Sequence, residues 1–533
     1  MAIKRPTLRV SPGPAQRELF GGAQPPPAPL PEAAPRTSFV DPSPEALTIG
    51  PQSLRSYLAS SGSKGVFGLR DLLRGLDYGP FLARYEAKGR TPYHPALMVG
   101  LTLFAVLKGV RSLRGIEAFA RENVTAWWLT GGACPDHASI GRFVNRFGDL
   151  LGEYVFEQVT SEVLRATGTS GTDLAGDGTT IPSVASRFKV IQEDAARERA
   201  ASLRAEAKDR GTAGGQLSKR LEQQAEKYER AAEATQRERK RTGRRPVKHS
   251  IKVAVNDPES TVQRLKNGYP APSYKPTVLA NEARIVVACD VQSSSENEAI
   301  DGLLTQAKRV NGGETIETVR LDAGFCSGEV LETLLKHEVE NPLVTESSVD
   351  GQLRGPKAKR KFAKAEFDYD KEADTYRCPA GETLKLVRNR RVRKTKIYGG
   401  APCQSCPLKD QCTRSKKGRE IYRYEQLDPL KTAMRRVMEN PLAQADYSRR
   451  SSMVEPVFAD IRQRNRFYRF LRVGLKKVRI ESAIVFTAHN LGRFLAILAQ
   501  ELLLAFLAVS ALLGTGSARS RPRVAQFAPA RAS

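Results

Sequence analysis

Three acidic residues stand where chain architecture alone does not call for them. Asp177 closes the short apolar run of DLAG and precedes Gly178-Thr179. Asp322 ends TVRL and precedes Ala323-Gly324-Phe325. Glu455 lies among Met453, Val454, Val457 and Phe458, with Arg449, Arg450, Arg462 and Arg464 further out. Three carboxylates brought to one point repel each other, and divalent cations between them remove the repulsion. Hard oxygen ligands suit Mg²⁺ or Mn²⁺. Two such ions about 3.5–4 Å apart can activate an attacking oxygen and stabilise a leaving one at phosphorus. The plain alternative is that all three are turn or ion-pair residues. Asp290, at the end of IVVACD, is a candidate neighbour of such a site, whereas Asp257, followed by Pro258, reads as a turn residue.

A second set of residues has metal-ligand chemistry. Cys403 and Cys406 form C-x₂-C, a spacing common in zinc knuckles, with Cys378 before them and Cys412 after them. Four thiolates could close a tetrahedral structural Zn²⁺ site, or the four could remain unligated thiols. Their neighbours, KLVRNRRVRKTK and TRSKKGR, would suit a module facing DNA. Cys134, Cys289 and Cys326 read as small buried residues, and the five histidines show no metal spacing.

The elements that must position these groups follow from periodicity. Residues 1–45 hold eleven prolines and few large apolar residues, so a disordered tail is expected. Residues 46–168 repeat apolar positions at three- and four-residue intervals and read as an all-helical domain. Asp136 or Ser139 could cap one of its helices, Trp127 and Trp128 read as packing residues, and Arg111, Arg114, Arg121, Arg142 and Arg146 are candidates for its polar faces. Residues 169–345 carry strand-like runs around the helical NEAIDGLLTQAKRV. That strand–helix–strand order predicts an α/β sheet. A charged helical pair interrupts it over 192–245, either a solvated hairpin or a phosphate-contacting arm. Residues 346–430 form a basic, cysteine-bearing insertion. Residues 431–513 are helical again and carry Glu455, and 514–533 read as a disordered basic tail. Strand carboxyl ends in an open α/β sheet converge on one edge, and a helix alongside can add a third carboxylate there.

The charge narrows the partner. Lys+Arg 85 minus Asp+Glu 58 gives +27 over 533 residues, with pI near 9.9. Such a surplus favours a polyanion. Seven cysteines, unevenly spaced, do not make a secreted disulfide scaffold. MAIKRPTLRV has no apolar core of a secretion signal, and Leu502–Leu513 is short against the roughly 20 residues of a membrane span. A cytoplasmic, nucleoid-associated protein without membrane contact is expected.

Over residues 46–500 the chain resembles bacterial insertion-sequence transposases of the DDE type. The block YHPALMVGLTLFAVLKGVRSLRGIEAFARENVTAWWLTGGACPDHASIGRF is similar to their N-terminal signature. DGTTI, LDAGFCSGEVL and YSRRSSMVEPVFADIR are similar to their three acidic motifs. The resemblance implies an RNase H-like core, a mixed sheet flanked by helices. It implies catalytic and metal-binding roles for Asp177, Asp322 and Glu455 with two Mg²⁺ or Mn²⁺, and DNA-phosphate contacts for Tyr447, Arg450 and Arg462. It also implies double-stranded DNA as partner, both element ends and target, with a homo-oligomer on DNA. The sequence departs from the family twice. Arg450 and Glu455 are one residue further apart than is usual, and Arg462 stands where Lys is usual. The expected reaction is strand cleavage followed by strand transfer. A hydrolytic nuclease, or a DNA-binding protein without catalysis, are the alternatives.

Overall fold

A computed structural model describes residues 38–86, 89–210, 215–242, 251–345, 362, 364–390, 395–400, 403–413 and 415–513. The stretches expected as tails fall outside it up to residue 37 and from residue 514, as does the basic stretch 243–250. Residues 38–45 belong to the fold. The Phe39 ring packs edge-on to Tyr85 and His94, and Asp41 pairs with Arg74. The tail expected over 1–45 is thus part of the fold over 38–45, where Phe39 finds a ring pair to pack on.

The N-terminal domain contains helices α1 (Leu54–Ser60), α2 (Gly65–Arg74), α3 (Pro95–Leu107), α4 (Leu113–Glu122), α5 (Val124–Thr130), α6 (His137–Arg146) and α7 (Val155–Thr167). Short polar side chains start them. Ser53, Ser112, Asn123 and Asp136 each accept from a backbone N–H of the first turn, which satisfies donors the helix cannot. Asp136, not Ser139, caps α6. Every residue of α3 is buried, as suits a helix apolar all round. Trp128 is buried against Phe67, and Trp127 donates its ring N–H to the Ala120 carbonyl. Of the expected surface arginines, Arg111 is not on the surface. It reaches across to donate to the Arg466 and Arg469 carbonyls and to Glu481.

The central sheet holds β1 (Asp173–Gly178), β2 (Pro270–Ala280), β3 (Val286–Gln292), β4 (Thr318–Leu321) and β5 (Asn341–Val344), in spatial order β3-β2-β1-β4-β5. β1, β4 and β5 run parallel, while β2 is antiparallel to both β1 and β3. Short strands between β1 and β2 extend the sheet sideways. The charged pair inserted there is α8 (Glu193–Asp209) and α9 (Gly215–Thr242), packed through Leu203, Ala207, Leu221 and Ala225. Parallel strands need crossover connections: α11 (Gly328–Lys336) joins the neighbours β4 and β5, and α10 (Ile300–Val310) carries the chain from β3 past β2 and β1 to β4.

The insertion contains an antiparallel sheet of β6 (Asp368–Asp370), β7 (Thr375–Arg377), β8 (Thr383–Arg390), β9 (Thr395–Gly399) and β10 (Ile421–Tyr424), each paired with the next. Its strands were not legible in the sequence, because few of their apolar residues are buried: among the described residues these are Phe367, Tyr376, Leu384, Tyr398 and Ile421, with Ile397.

The chain then enters α12 (Leu427–Glu439), α13 (Pro441–Ser448), α14 (Arg450–Gln463) and α15 (Leu475–Leu513). Over Leu475–Glu501, α15 is long and apolar enough to cross a membrane, yet 67% of its most apolar window is buried inside the protein. It runs between the two large parts of the fold. Asn490 donates to the Val286 carbonyl on β3 at 2.8 Å and to Thr160 on α7 at 3.0 Å, and its own carbonyl accepts from the Val286 N–H. One continuous apolar core therefore spans the helical domain, α15 and the sheet.

Candidate active site

Asp177 and Asp322 are placed by strand register. β1 and β4 pair in parallel with Leu321 beside Gly176, so each acid stands one step on, at the carboxyl ends of adjacent strands. Gly176 makes that adjacency possible: a Cβ there would meet Leu321 at 2.4 Å and Leu279 at 2.9 Å. Asp322 caps a turn, accepting from the Gly324 N–H at 2.9 Å. Asp177 accepts from the Gly178 N–H at 2.8 Å.

Glu455 arrives on α14, whose Met453, Val454, Val457, Phe458 and Ile461 are buried against the rest of the fold. Its carboxylate stays 58% exposed. A proline suits the first turn of a helix, where N–H groups lack partners anyway, so the sequence alone starts a helix at Glu455; the structure starts it earlier. α13 closes at Ser448 and α14 starts at Arg450, so Pro456 lies inside the helix. There it has no N–H to offer the Ser452 carbonyl.

Arg450 joins the acids. Its guanidinium lies 3.8 Å from Asp177 and 3.7 Å from Glu455, and the side chain is only 13% exposed. Its Nε and Nη1 are buried without hydrogen-bond partners. Arg462, half-buried, donates to the Thr179 hydroxyl two residues beyond Asp177. Tyr447 shares a hydrogen bond of 3.1 Å with Thr345. Of the three residues expected on DNA phosphate, Arg450 and Arg462 thus face the acidic edge, and the Tyr447 hydroxyl faces Thr345.

A fourth carboxylate stands beside the three. Glu296, just before α10, lies so close to Gly178 that a Cβ there would meet its carboxyl carbon at 2.7 Å. Lys275 holds it by an ion pair of 2.6 Å. Nothing in SSSE, just ahead of the helical NEAIDGLLTQAKRV, marks it in the sequence. Asp290, the expected neighbour, instead pairs with Arg479 at 3.0 Å.

Burial pushes the Asp177 carboxyl up to about 6. The Gly178 N–H and Arg450 oppose the rise, and the Asp322 and Glu296 carboxylates add to it. Its ionised form is therefore short of positive charge. Among the described residues no three His, Cys, Asp or Glu side chains stand as a ready metal-holding group. The donors at this edge nonetheless fit a divalent cation in kind. They are hard carboxylate oxygens, one of them on a carboxyl pushed up chiefly by burial, and a guanidinium lies between two of the carboxylates.

A buried arginine fixes the frame. Arg320 on β4, 1% exposed, donates to Asp173 at the start of β1. It also donates to the Asp446 carboxylate at 2.6 Å and to its main-chain carbonyl at 3.0 Å. Asp446 sits on α13, four residues before Arg450, so this tie sets where α14 begins relative to β1 and β4.

Comparison with known proteins adds two findings. Residues 69–146 match the family described as Transposase domain (DUF772), and residues 377–495 match the Transposase DDE domain family. The second match takes in the four cysteines of the insertion with β8, β9 and β10, and Arg450, Glu455 and Arg462; Asp177 and Asp322 lie outside it. No curated protein and no solved structure matches the chain.

Proposed function

We infer that this chain, whose two matched segments support an insertion-sequence DDE transposase, cuts DNA at the ends of its element and joins the freed ends to a target. What supports the inference is the acidic edge: Asp177 and Asp322 end adjacent parallel strands, and the Arg450 guanidinium lies 3.8 Å from Asp177 and 3.7 Å from Glu455. The strand order β3-β2-β1-β4-β5, with β2 alone running against the other four, supports reading the sheet as RNase H-like.

In this reading Asp177, Asp322 and Glu455 hold a pair of Mg²⁺ or Mn²⁺ ions, which would supply activation of the attacking oxygen and charge neutralisation of the leaving one. The chain's own residues align the DNA. Arg450 turns from the carboxylates to a phosphate as cations enter, and Arg462 holds the strand beside Thr179; a guanidinium fork suits phosphate. Water attacks phosphorus and the 3′-oxygen leaves as a free 3′-OH. That hydroxyl then attacks a target phosphodiester and displaces the target's own 3′-oxygen. One bond forms as one breaks, and the protein is never covalently attached. Cutting two ends in concert favours a homo-oligomer on the DNA.

The test is incubation of the purified chain with Mg²⁺, a duplex carrying the element end, and a plasmid target. Joined products are expected. Cuts without joining would leave a hydrolytic nuclease, and binding without cuts would leave a DNA-binding protein.

Two further outcomes follow. Asp177 has a folded pKa of about 6, above its ordinary 3.8. Its contribution to stability is therefore present below about pH 3.8 and is lost as pH rises through 6. A cation that binds the ionised form must displace this proton below pH 6. Mg²⁺ affinity, measured by calorimetry, should then fall roughly tenfold per pH unit below about 6, and Asp177→Asn should flatten that slope. Binding of end DNA should weaken steeply with salt, by roughly 0.9 log units per log unit of salt for each phosphate neutralised. The cleft of about 740 Å³ between the helical domain and α15, lined by Arg114, Arg472 and Lys477 among others, is one surface such contacts would use. A salt-independent affinity would count against it.

A further inference from the structure

The inserted sheet β6–β10 rests on few apolar contacts. Among the described residues its core cluster is small, Phe367, Tyr376, Leu384, Tyr398 and Ile421 with Ile397 also buried, and all seven cysteines are free thiols. A unit this small usually needs a cross-link or a metal to hold together.

Four cysteines from distant places meet beside that core. Cys378, Cys403, Cys406 and Cys412 all line one cavity of about 20 Å³, closed by Phe362, Phe367, Leu384 and Leu408. Two tight turns present them. In the first, Cys378-Pro379-Ala380-Gly381, the Gly381 N–H donates to the Cys378 carbonyl at 2.8 Å, with Gly381 in the left-handed region at φ +85°. In the second, the Lys409 N–H donates to the Cys406 carbonyl at 3.1 Å, and the Cys412 N–H returns to Leu408 at 2.9 Å. Gly418, at φ +92°, lets the chain pass Cys403: a Cβ there would come within 3.1 Å of its sulfur.

Burial raises the Cys412 thiol, Arg419 lowers it, and the other three cysteines raise it, so the four share one electrostatic neighbourhood. Arg419 lies against Phe367 and donates to the Phe362 carbonyl at 3.1 Å. Its Nε is buried with no acceptor, and a thiolate would be one. Lys409 also lines the cavity.

We propose that Cys378, Cys403, Cys406 and Cys412 form a structural Zn²⁺ site that staples the turns of this sheet. The sulfurs do not stand at ligand distance as they are, and Zn–S bonds of about 2.3 Å would draw them inward. The cavity holds about one small sphere, so one ion and no water is the expected occupancy. Four thiols bind one Zn²⁺ and release four protons. The resulting charge of minus two is offset by Arg419 and Lys409. With all four positions filled by protein, the ion has no place for substrate and acts only on the fold.

The experiment uses the full-length chain, reduced and stripped of metal, then titrated with Zn²⁺ and in parallel with Co²⁺. One ion per chain is expected, with Co²⁺ giving the intense visible bands of a tetrahedral thiolate site. Cys403→Ser/Cys406→Ser should lower bound Zn²⁺ at least about tenfold, while Cys134→Ser should leave it unchanged. Uptake well below one ion, or cobalt spectra without thiolate bands, overturns the proposal. So does equal loss in Cys134→Ser. The cobalt spectrum is read on the unaltered chain, so a misfolded double variant does not protect the idea. The acids are elsewhere, so failure here leaves the joining reaction untouched, and a chain that binds Zn²⁺ but joins nothing leaves this site standing.

Discussion

Asp322→Asn is expected to reduce Mg²⁺-dependent nicking of end DNA by on the order of 10³-fold or more, with folding and DNA binding retained. The size follows from what a ligand carboxylate contributes. A metal pair supplies several kcal/mol of transition-state charge stabilisation, and each 1.36 kcal/mol is tenfold in rate. Retention of the fold follows from the local geometry. Asp322 caps its turn by accepting from the Gly324 N–H, and the carbonyl oxygen of Asn can accept the same bond. Only the charge is lost. Glu455→Gln should behave alike, since its carboxylate is largely exposed and supports no packing. The three acids act as a unit, so Asp322→Asn/Glu455→Gln should be little worse than either alone. Single-turnover nicking across these variants is the measurement. Activity of Asp322→Asn within tenfold of the unaltered chain would remove Asp322 from the site.

The second large effect falls on stability. Arg320 is nearly inaccessible, and its charge is balanced by Asp173 and Asp446, whose side chains are 25% and 28% exposed. Removing both acids by Asp173→Ala/Asp446→Ala strands a buried guanidinium with one main-chain carbonyl. The expected cost is about 3–5 kcal/mol. Removing the arginine instead, by Arg320→Met, should cost less, on the order of 2 kcal/mol. The two acids keep water and also keep Arg449, which lies 3.3 Å from Asp173 and 3.1 Å from Asp446. Urea midpoints at unchanged slope would read both losses. The reverse ranking would mean that Arg320 acts by packing rather than by charge.

What could be read in the sequence depended on how local its cause was. Asp177 and Asp322 end apolar runs, and strand ends gather at one edge, so their adjacency was foreseeable. The helical N-terminal domain was legible because its apolar spacing is dense and its capping side chains stand at the breaks. Arg320 was not. In TIETVRLD it alternates with apolar neighbours as a solvent-facing residue would, and only the arrival of Asp446 from a distant helix buries it. Glu296 was missed for the same reason: its importance comes from a glycine more than a hundred residues earlier. The sequence reading placed Arg450 outside the acids, yet it lies between two of them, because the helix begins at Arg450 and turns its guanidinium inward. The strands of the insertion were hidden by their many exposed basic residues.

The placement of α15 bears on how the protein is made. Asn490 bonds to both α7 and β3, and Phe494 still belongs to the shared core. A nascent chain lacking this helix has neither half finished, since each leaves bare the surface α15 covers. A premature stop shortly before Leu475 should therefore be about as damaging as one near the beginning, and cells carrying such a gene should accumulate insoluble or degraded polypeptide rather than a working shorter enzyme.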